Sequence, residues 1–342
     1  MTTEPGAHMG AEMAEQPAVV SKLLDRRDEI AEAARALLPH PLAGVLIAAR
    51  GSSDHAATFG RYVLQVAGKR PAALAAPSLH TLYRVPIDCS GYLCIGISQS
   101  GRTPEIVEVL RLFGSSGGRT LAITNGPDNP LAEAAERVID LDAGPEQAVP
   151  ATKTFLAQMV VLALIADGVG EVPWTTGDLE RVPHGIAQVL DDTGPIDFAR
   201  DAIIPGRGMI VAGRGFLFPA ALEIALKLRE TTGIPAEGYS TADLRHGPIA
   251  GITSETPLLV LSAGEMLSLD ARHLVEEVRA RRSPVMTASE LPDADIPIPT
   301  GFPDALAAML MVVRGQQLAR AVALGLNKDP DSPVGLHKVT AT

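Results

Sequence analysis

The stretch "ISQSGRTPEIVEVL" places the hydroxyls of Ser98, Ser100 and Thr103 and the amide of Gln99 around a single turn, with Gly101 among them. A phosphate monoester has oxygens enough for all of these groups, and glycine lets the backbone approach them closely. Ahead of the turn, the apolar "GYLCIGI" reads as a buried strand of a parallel sheet. Behind it, Thr103, Pro104 and Glu105 read as N-cap, first helical position and acidic first turn. The turn then joins a strand's carboxyl end to a helix's amino end, where open α/β sheets bind ligands. An ordinary polar loop with a capping threonine has the same local pattern. Because a helix terminus contributes only about 0.3–2 kcal/mol to an anion, the density of hydroxyls is what favours phosphate.

A second set lies on "PAALEIALKLRE", where Glu223, Lys227 and Glu230 stand at i, i+4 and i+7 and so share a helix face. A surface stripe of ion pairs has that spacing too. Here, however, Leu222, Ile224, Ala225, Leu226 and Leu228 make the rest of the helix apolar, and charges on a mostly buried helix suggest a cleft. His246, in "STADLRHGPIAG", falls in a loop, where an exposed histidine of no consequence is equally compatible with the spacing. On residue types alone the chain reads as a phosphate-binding α/β protein with a candidate acid/base pair.

The elements that must position these groups come in two similar halves. "GVLIAARGSSDHAATFGRYVL", from Gly44, and "GMIVAGRGFLFPAALEIALKL", from Gly208, share a plan of glycine, apolar strand, Arg-Gly and amphipathic helix. Further strand and helix patterns alternate after each, so the fold class is α/β, with two doubly wound parallel sheets related by internal duplication. The expected organisation is an N-terminal helical segment in 1–40, with one helix between Pro17 and Leu38, and a phosphate-binding domain in 41–170. A helical linker in 171–205, a second domain in 206–326 carrying the Glu/Lys pair, and a structureless tail in 327–342 complete it. Only the first half has the Ser-Gln-Ser-Gly loop. Its counterpart after "PLLVLSAG" is Glu265-Met266-Leu267, which puts an acid where a phosphate would sit.

A chain of 342 residues is long enough for two such domains. No apolar run reaches membrane-spanning length and the N-terminus lacks signal-peptide features, so a soluble cytoplasmic protein is expected. The net charge of −11 argues against nucleic acid or an anionic membrane as partner. Cys89 and Cys94 read as small buried apolar residues, and the eight histidines show no metal-ligand spacing, so no metal site is expected.

"ISQSGRTPE", "PATKTF", "ALEIALKLRE", "DLRHGP" and "LHKVT" occur in one order, and with them the chain resembles the double sugar isomerase (SIS) domain proteins, in particular the isomerase half of glutamine:fructose-6-phosphate amidotransferase. The resemblance runs from about residue 40 to 342. It implies that Ser98, Gln99, Ser100 and Thr103 hold a sugar phosphate, and that Gly51, Ser52 and Ser53 of "RGSSD" line the sugar site, Ser53 by direct contact. It also implies that Glu230 moves a proton between C1 and C2, with Lys227 near the developing enolate oxygen. His246 would open the sugar ring from the partner subunit of a homodimer, and Lys338 would reach the open-chain carbonyl. Two positions depart from the amidotransferase pattern: Arg102 replaces a glutamate, and Ala151, in "VPATKTF", replaces a sugar-binding serine. With the Met1-Thr2 start in place of a cysteine nucleophile, the absence of a glutaminase domain and the short "LHKVTAT" ending, these departures resemble SIS-type glucosamine-6-phosphate deaminases. The substrate so implied is a 6-phosphorylated amino sugar, and the chemistry so implied requires neither metal nor organic cofactor.

Overall fold

The computed structural model describes residues 4–338, so the Met1-Thr2 start and the ending beyond Lys338 lie outside the described residues. In chain order, α1 (Ala7–Ala14), α2 (Gln16–Asp25) and α3 (Arg27–Arg35) precede β1 (Gly44–Ala48), α4 (Ser52–Gly68), β2 (Ala72–Leu74) and α5 (Pro77–Thr81). Next come β3 (Tyr92–Ile97), α6 (Pro104–Ser115), β4 (Arg119–Thr124), α7 (Pro130–Glu133), β5 (Arg137–Asp140) and α8 (Lys153–Val169). Two helices, α9 (Thr176–Asp191) and α10 (Gly194–Ile203), lead to β6 (Met209–Gly213), α11 (Phe218–Thr232), β7 (Ala236–Ser240) and α12 (Thr241–Arg245). The chain continues through β8 (Leu258–Leu261), α13 (Gly264–Arg279), β9 (Val285–Ser289), β10 (Ile296–Pro297) and α14 (Asp304–Gly325).

Both sheets have five strands and every strand pair is parallel. Their orders, β2-β1-β3-β4-β5 and β10-β9-β8-β6-β7, are the same when the second is read from its other edge. The chain divides into two compact units. One, the first-sheet unit, comprises Ala18–Glu146 and Lys153–Pro173; the other, the second-sheet unit, comprises the described residues up to Pro17, Gln147–Thr152 and Trp174–Lys338.

In the first-sheet unit, β3 and α6 close a core of Cys94, Ile106, Leu110, Phe113 and Leu131. Cys89 and Cys94 are both buried, and burial pushes the Cys94 thiol pKa well up. Helix α8 is apolar almost all round and almost wholly buried, as a helix inside a protein core must be. It packs against α3 and α4. In the second-sheet unit, β8 is entirely buried and α11 packs on α14, β6 and β7. No helix among the described residues is long and apolar enough to cross a membrane.

Three segments differ from expectation. The N-terminal region is three consecutive helices beginning at Ala7, rather than one from Pro17. Pro17 occupies the first turn of α2, where its missing N–H costs nothing. The start of α1 is held by the Asp331 carboxylate, which accepts from the His8 and Met9 N–H groups at 2.9 and 2.7 Å. Residues 171–205 contain α9 and α10, which pack on α14 and belong to the second-sheet unit. Arg314 of α14 donates to the Val189 carbonyl at 3.1 Å and pairs with Asp192 at 2.9 Å, so buried polar bonds fasten the helices together. The final segment has no regular secondary structure, yet it is strapped down. The Asp331 carbonyl accepts from the Val149 N–H at 2.9 Å, and Lys328 Nζ donates to the Thr232 carbonyl at the carboxyl end of α11.

Candidate active site

In the first-sheet unit, β3 ends at Ile97 and the chain turns at once, with the Gly101 N–H donating to the Ser98 carbonyl at 3.2 Å. Gly101 has φ 61°, and a Cβ there would lie 1.9 Å from Asn129 Oδ1, so glycine is required on both counts. Asn129 in turn donates to Thr124 Oγ1 at 3.1 Å and to the Gly126 carbonyl at 2.7 Å, fixing the wall behind the turn. The Ser98 and Thr103 hydroxyls meet at 3.1 Å, and the Ser100 hydroxyl accepts from the Arg102 N–H at 3.3 Å. Thr103 occupies the N-cap position of α6, as its sequence suggests, but its side chain caps no helical N–H. The hydroxyl that would have satisfied the helix faces Ser98 instead. Gln99 is engaged through its backbone carbonyl, which accepts from the Asn125 N–H at 3.0 Å.

The same unit carries Gly51, in the left-handed region at φ 59°, followed by Ser52 and Ser53 in the first turn of α4. Ser53 is buried, and its Oγ accepts from Gln158 Nε2 of α8 at 3.0 Å.

In the second-sheet unit, α11 begins with Pro219 in its first turn and ends against Gly233 at φ 70°. Its polar face is collected as the spacing requires. Lys227 Nζ pairs with Glu223 at 3.4 Å and with Glu230. Lys227 and Glu223 are each 1% exposed, whereas Glu230 retains 22%. A buried ammonium is tolerable only when paired, and losing one partner of such a pair typically costs about 3–5 kcal/mol. Glu223 therefore shares the charge of Lys227, while the Glu230 carboxylate stays accessible. That is the arrangement a proton-transferring acid needs. Glu223 is visible in the sequence as an i,i+4 partner of Lys227, but its near-complete burial beside an accessible Glu230 is not.

His246 closes α12 as an exposed residue, and its ring makes no hydrogen bond or ion pair among the described residues. The segment ahead of it is held through Asp270, which accepts from Thr241 Oγ1 and from Arg245 Nη1, the latter at 2.9 Å. Burial opposes ionisation of Asp270, but these hydrogen bonds and the charges of Arg245 and Arg214 outweigh it and hold its pKa below the ordinary carboxylate value. Lys338 Nζ donates to the Ala148 carbonyl at 2.7 Å, which brings the C-terminal strap onto the loop containing Ala151. That loop is fixed from α1 as well, because Glu12 accepts from the Gln147 and Ala148 N–H groups.

The structure thus gathers four local groups: the hydroxyls of 98–103, Ser53 with Gln158, the α11 triad, and Lys338 with the Ala151 loop. Gln158 and Asn129 are the residues that sequence reasoning missed. An available signal was the single amide inside the apolar run from Phe155 to Ala166. At the counterpart of the phosphate turn, Glu265 lies in the first turn of α13 as an exposed residue, and the carboxylate that bonds the backbone there is Glu290, which accepts from the Gly264 and Gly301 N–H groups at 3.1 Å each.

The SIS domain family model matches residues 44–167 and 203–293. Glutamine–fructose-6-phosphate aminotransferase (isomerizing) of Thermus thermophilus is 31% identical over 352 residues, covering 97% of this chain and 58% of the relative. The chain therefore spans only about 58% of the length of that curated relative. A structure from Silicibacter pomeroyi, of a protein proposed to be a phosphosugar isomerase, superposes with a TM-score of 0.85 at 29% identity, covering 95% of this chain and 99% of its own. The C-terminal domain of glucosamine-fructose-6-phosphate aminotransferase from Francisella tularensis gives a TM-score of 0.82 at 25% identity, with coverages of 95% and 98%.

Proposed function

The chain belongs to the SIS domain family, and from that premise we propose that it is a phosphosugar isomerase converting glucosamine 6-phosphate to fructose 6-phosphate and ammonia. The observation that carries the reading is the α11 triad, in which a buried lysine is balanced by one buried and one accessible carboxylate. Such a pair suits an aldose–ketose change, because C1 and C2 are adjacent and one carboxylate can serve both.

In this reading Ser98, Gln99, Ser100 and Thr103 hold the phosphate, while Gly51, Ser52, Ser53 and the Ala151 loop meet the sugar. His246, supplied by the partner of a homodimer, assists ring opening, and Lys338 meets the open-chain carbonyl. Glu230 then removes the C2 proton of the open-chain amino sugar and returns a proton at C1, while Lys227 stabilises the negative charge that develops on O1. The resulting C2 ketimine takes up water, loses ammonia and leaves the ketose. Arg102 and Ala151, where the amidotransferase pattern has glutamate and serine, resemble the SIS-type deaminases at those positions.

The test is incubation with glucosamine, galactosamine and fructosyl-amine 6-phosphates, assayed for free ammonia and for fructose 6-phosphate. Stoichiometric formation of both products from glucosamine 6-phosphate is expected. Ammonia from another member of the panel would move the substrate assignment, and isomerisation without ammonia would remove the deaminase step. Binding without any turnover would replace the enzyme by a phosphosugar sensor.

A further inference from the structure

Gln158 is the one polar side chain between Phe155 and Ala166 and is 1% exposed. Its Nε2 donates to Ser53 Oγ at 3.0 Å, while its buried Oε1 has no hydrogen-bond partner among the described residues. Leaving a buried carbonyl unpaired is costly, and an apolar side chain of similar size would fill the same place in α8 without that cost. The amide therefore has to be explained by what it does to Ser53, itself 8% exposed.

A serine hydroxyl has one proton to give and two lone pairs to receive with. When Gln158 donates to Oγ, one lone pair is used inward and the Ser53 proton is free to point elsewhere. With the amide turned over, Ser53 would donate inward and could offer a ligand only lone pairs.

We propose that Gln158 is a positioning residue that fixes the polarity of Ser53, committing the Ser53 proton to an acceptor oxygen of the bound phosphosugar. The inference rests on the phosphosugar reading above and deepens it: the sugar must present an acceptor oxygen, such as a carbonyl or ring oxygen, to Ser53. Gln158 touches no substrate atom in this role.

The experiment is calorimetric titration of wild type, Gln158→Met, Ser53→Ala and the double variant with fructose 6-phosphate and, separately, with inorganic phosphate. Gln158→Met should weaken fructose 6-phosphate binding about tenfold, the order of one lost hydrogen bond, and leave inorganic phosphate unchanged. In the Ser53→Ala background it should have no further effect. Gln158→Asn, which withdraws the amide by one methylene, should reproduce the loss and keeps the test available if the methionine variant fails to fold. Unchanged sugar affinity, a proportional loss of phosphate affinity, or an equal loss in the Ser53→Ala background would each overturn the proposal. Wild type that binds fructose 6-phosphate no better than phosphate would overturn the phosphosugar reading and this inference with it.

Discussion

Two helix N-termini at equivalent places in the two sheets have been used in opposite ways. Helices α6 and α13 follow β3 and β8, the third strands of sheets with the same order. Each start depends on a glycine in the left-handed region, Gly101 at φ 61° and Gly264 at φ 63°. At α6 the turn carries neutral hydroxyls, with Thr103 failing to cap its own helix, and the first-turn acid Glu105 is paired with Arg50 at 2.8 Å. At α13 the protein supplies the anion itself, through Glu290. A second carboxyl, Asp304, lies where a Cβ on Gly264 would meet it at 2.6 Å. Burial, together with the charge of Glu290, raises the Asp304 pKa. Topology thus offers two helix termini of the kind that favour anions, and a side-chain carboxylate bonds to one of them from within. The second-sheet unit instead carries a buried lysine with paired carboxylates on α11.

The largest effect is expected from breaking that buried charge balance. Glu223→Leu removes one carboxylate partner of the buried Lys227 and should cost about 3–5 kcal/mol of stability in urea unfolding; a loss below about 1 kcal/mol would mean that the pair is not needed to bury the lysine. Next, Ser98→Ala with Thr103→Ala should weaken inorganic phosphate binding by about 10- to 100-fold, since hydrogen bonds to a charged group contribute roughly 1.5–3 kcal/mol. Unchanged affinity would remove the phosphate turn from the site.

Smaller still, Glu290→Ala should cost about 1–2 kcal/mol and make the protein's melting temperature rise more steeply with added sulfate than in wild type, as an external anion replaces the lost carboxylate. Parallel sulfate responses would show that the second terminus is not a blocked anion site. The smallest effect concerns Asp270. Its folded pKa is depressed, so its contribution is present above the unfolded value near 3.8 and is lost as pH falls through the folded value. Asp270→Asn should remove under about 1 kcal/mol of stability at neutral pH, after allowance for solvent screening, and flatten the acid limb of the stability curve. An unaltered acid limb would contradict the role given to Asp270 ahead of His246.

Much of this comparison is legible in the sequence, for identifiable reasons. Strands β1, β3, β4, β6 and β8 are buried in parallel sheets and so appear as short apolar runs. Strand β7, "AEGYS", lies at a sheet edge with Glu237 exposed, and β10 has only two residues, so neither has a periodic signal. The α11 stripe is readable because i, i+4 and i+7 always share a face. The Thr103 hydroxyl has two readings in the sequence, helix cap or member of the turn, because propensity names an N-cap without saying where its oxygen points; in the structure it meets Ser98. Glu290, Asp331 and Gln158 escape notice because their partners, Gly264, Met9 and Ser53, lie far along the chain. No local pattern encodes such pairings.

The division of labour between a binding turn and a proton-transferring carboxylate is tested most directly by Glu230→Gln, measured for glucosamine 6-phosphate affinity by calorimetry and for turnover by ammonia release. We expect affinity within about threefold of wild type, since the hydroxyl turn is untouched, and turnover lower by about 10²–10⁴. Turnover equal to wild type, or a loss of affinity as large as the loss of turnover, would contradict the assignment of the two roles.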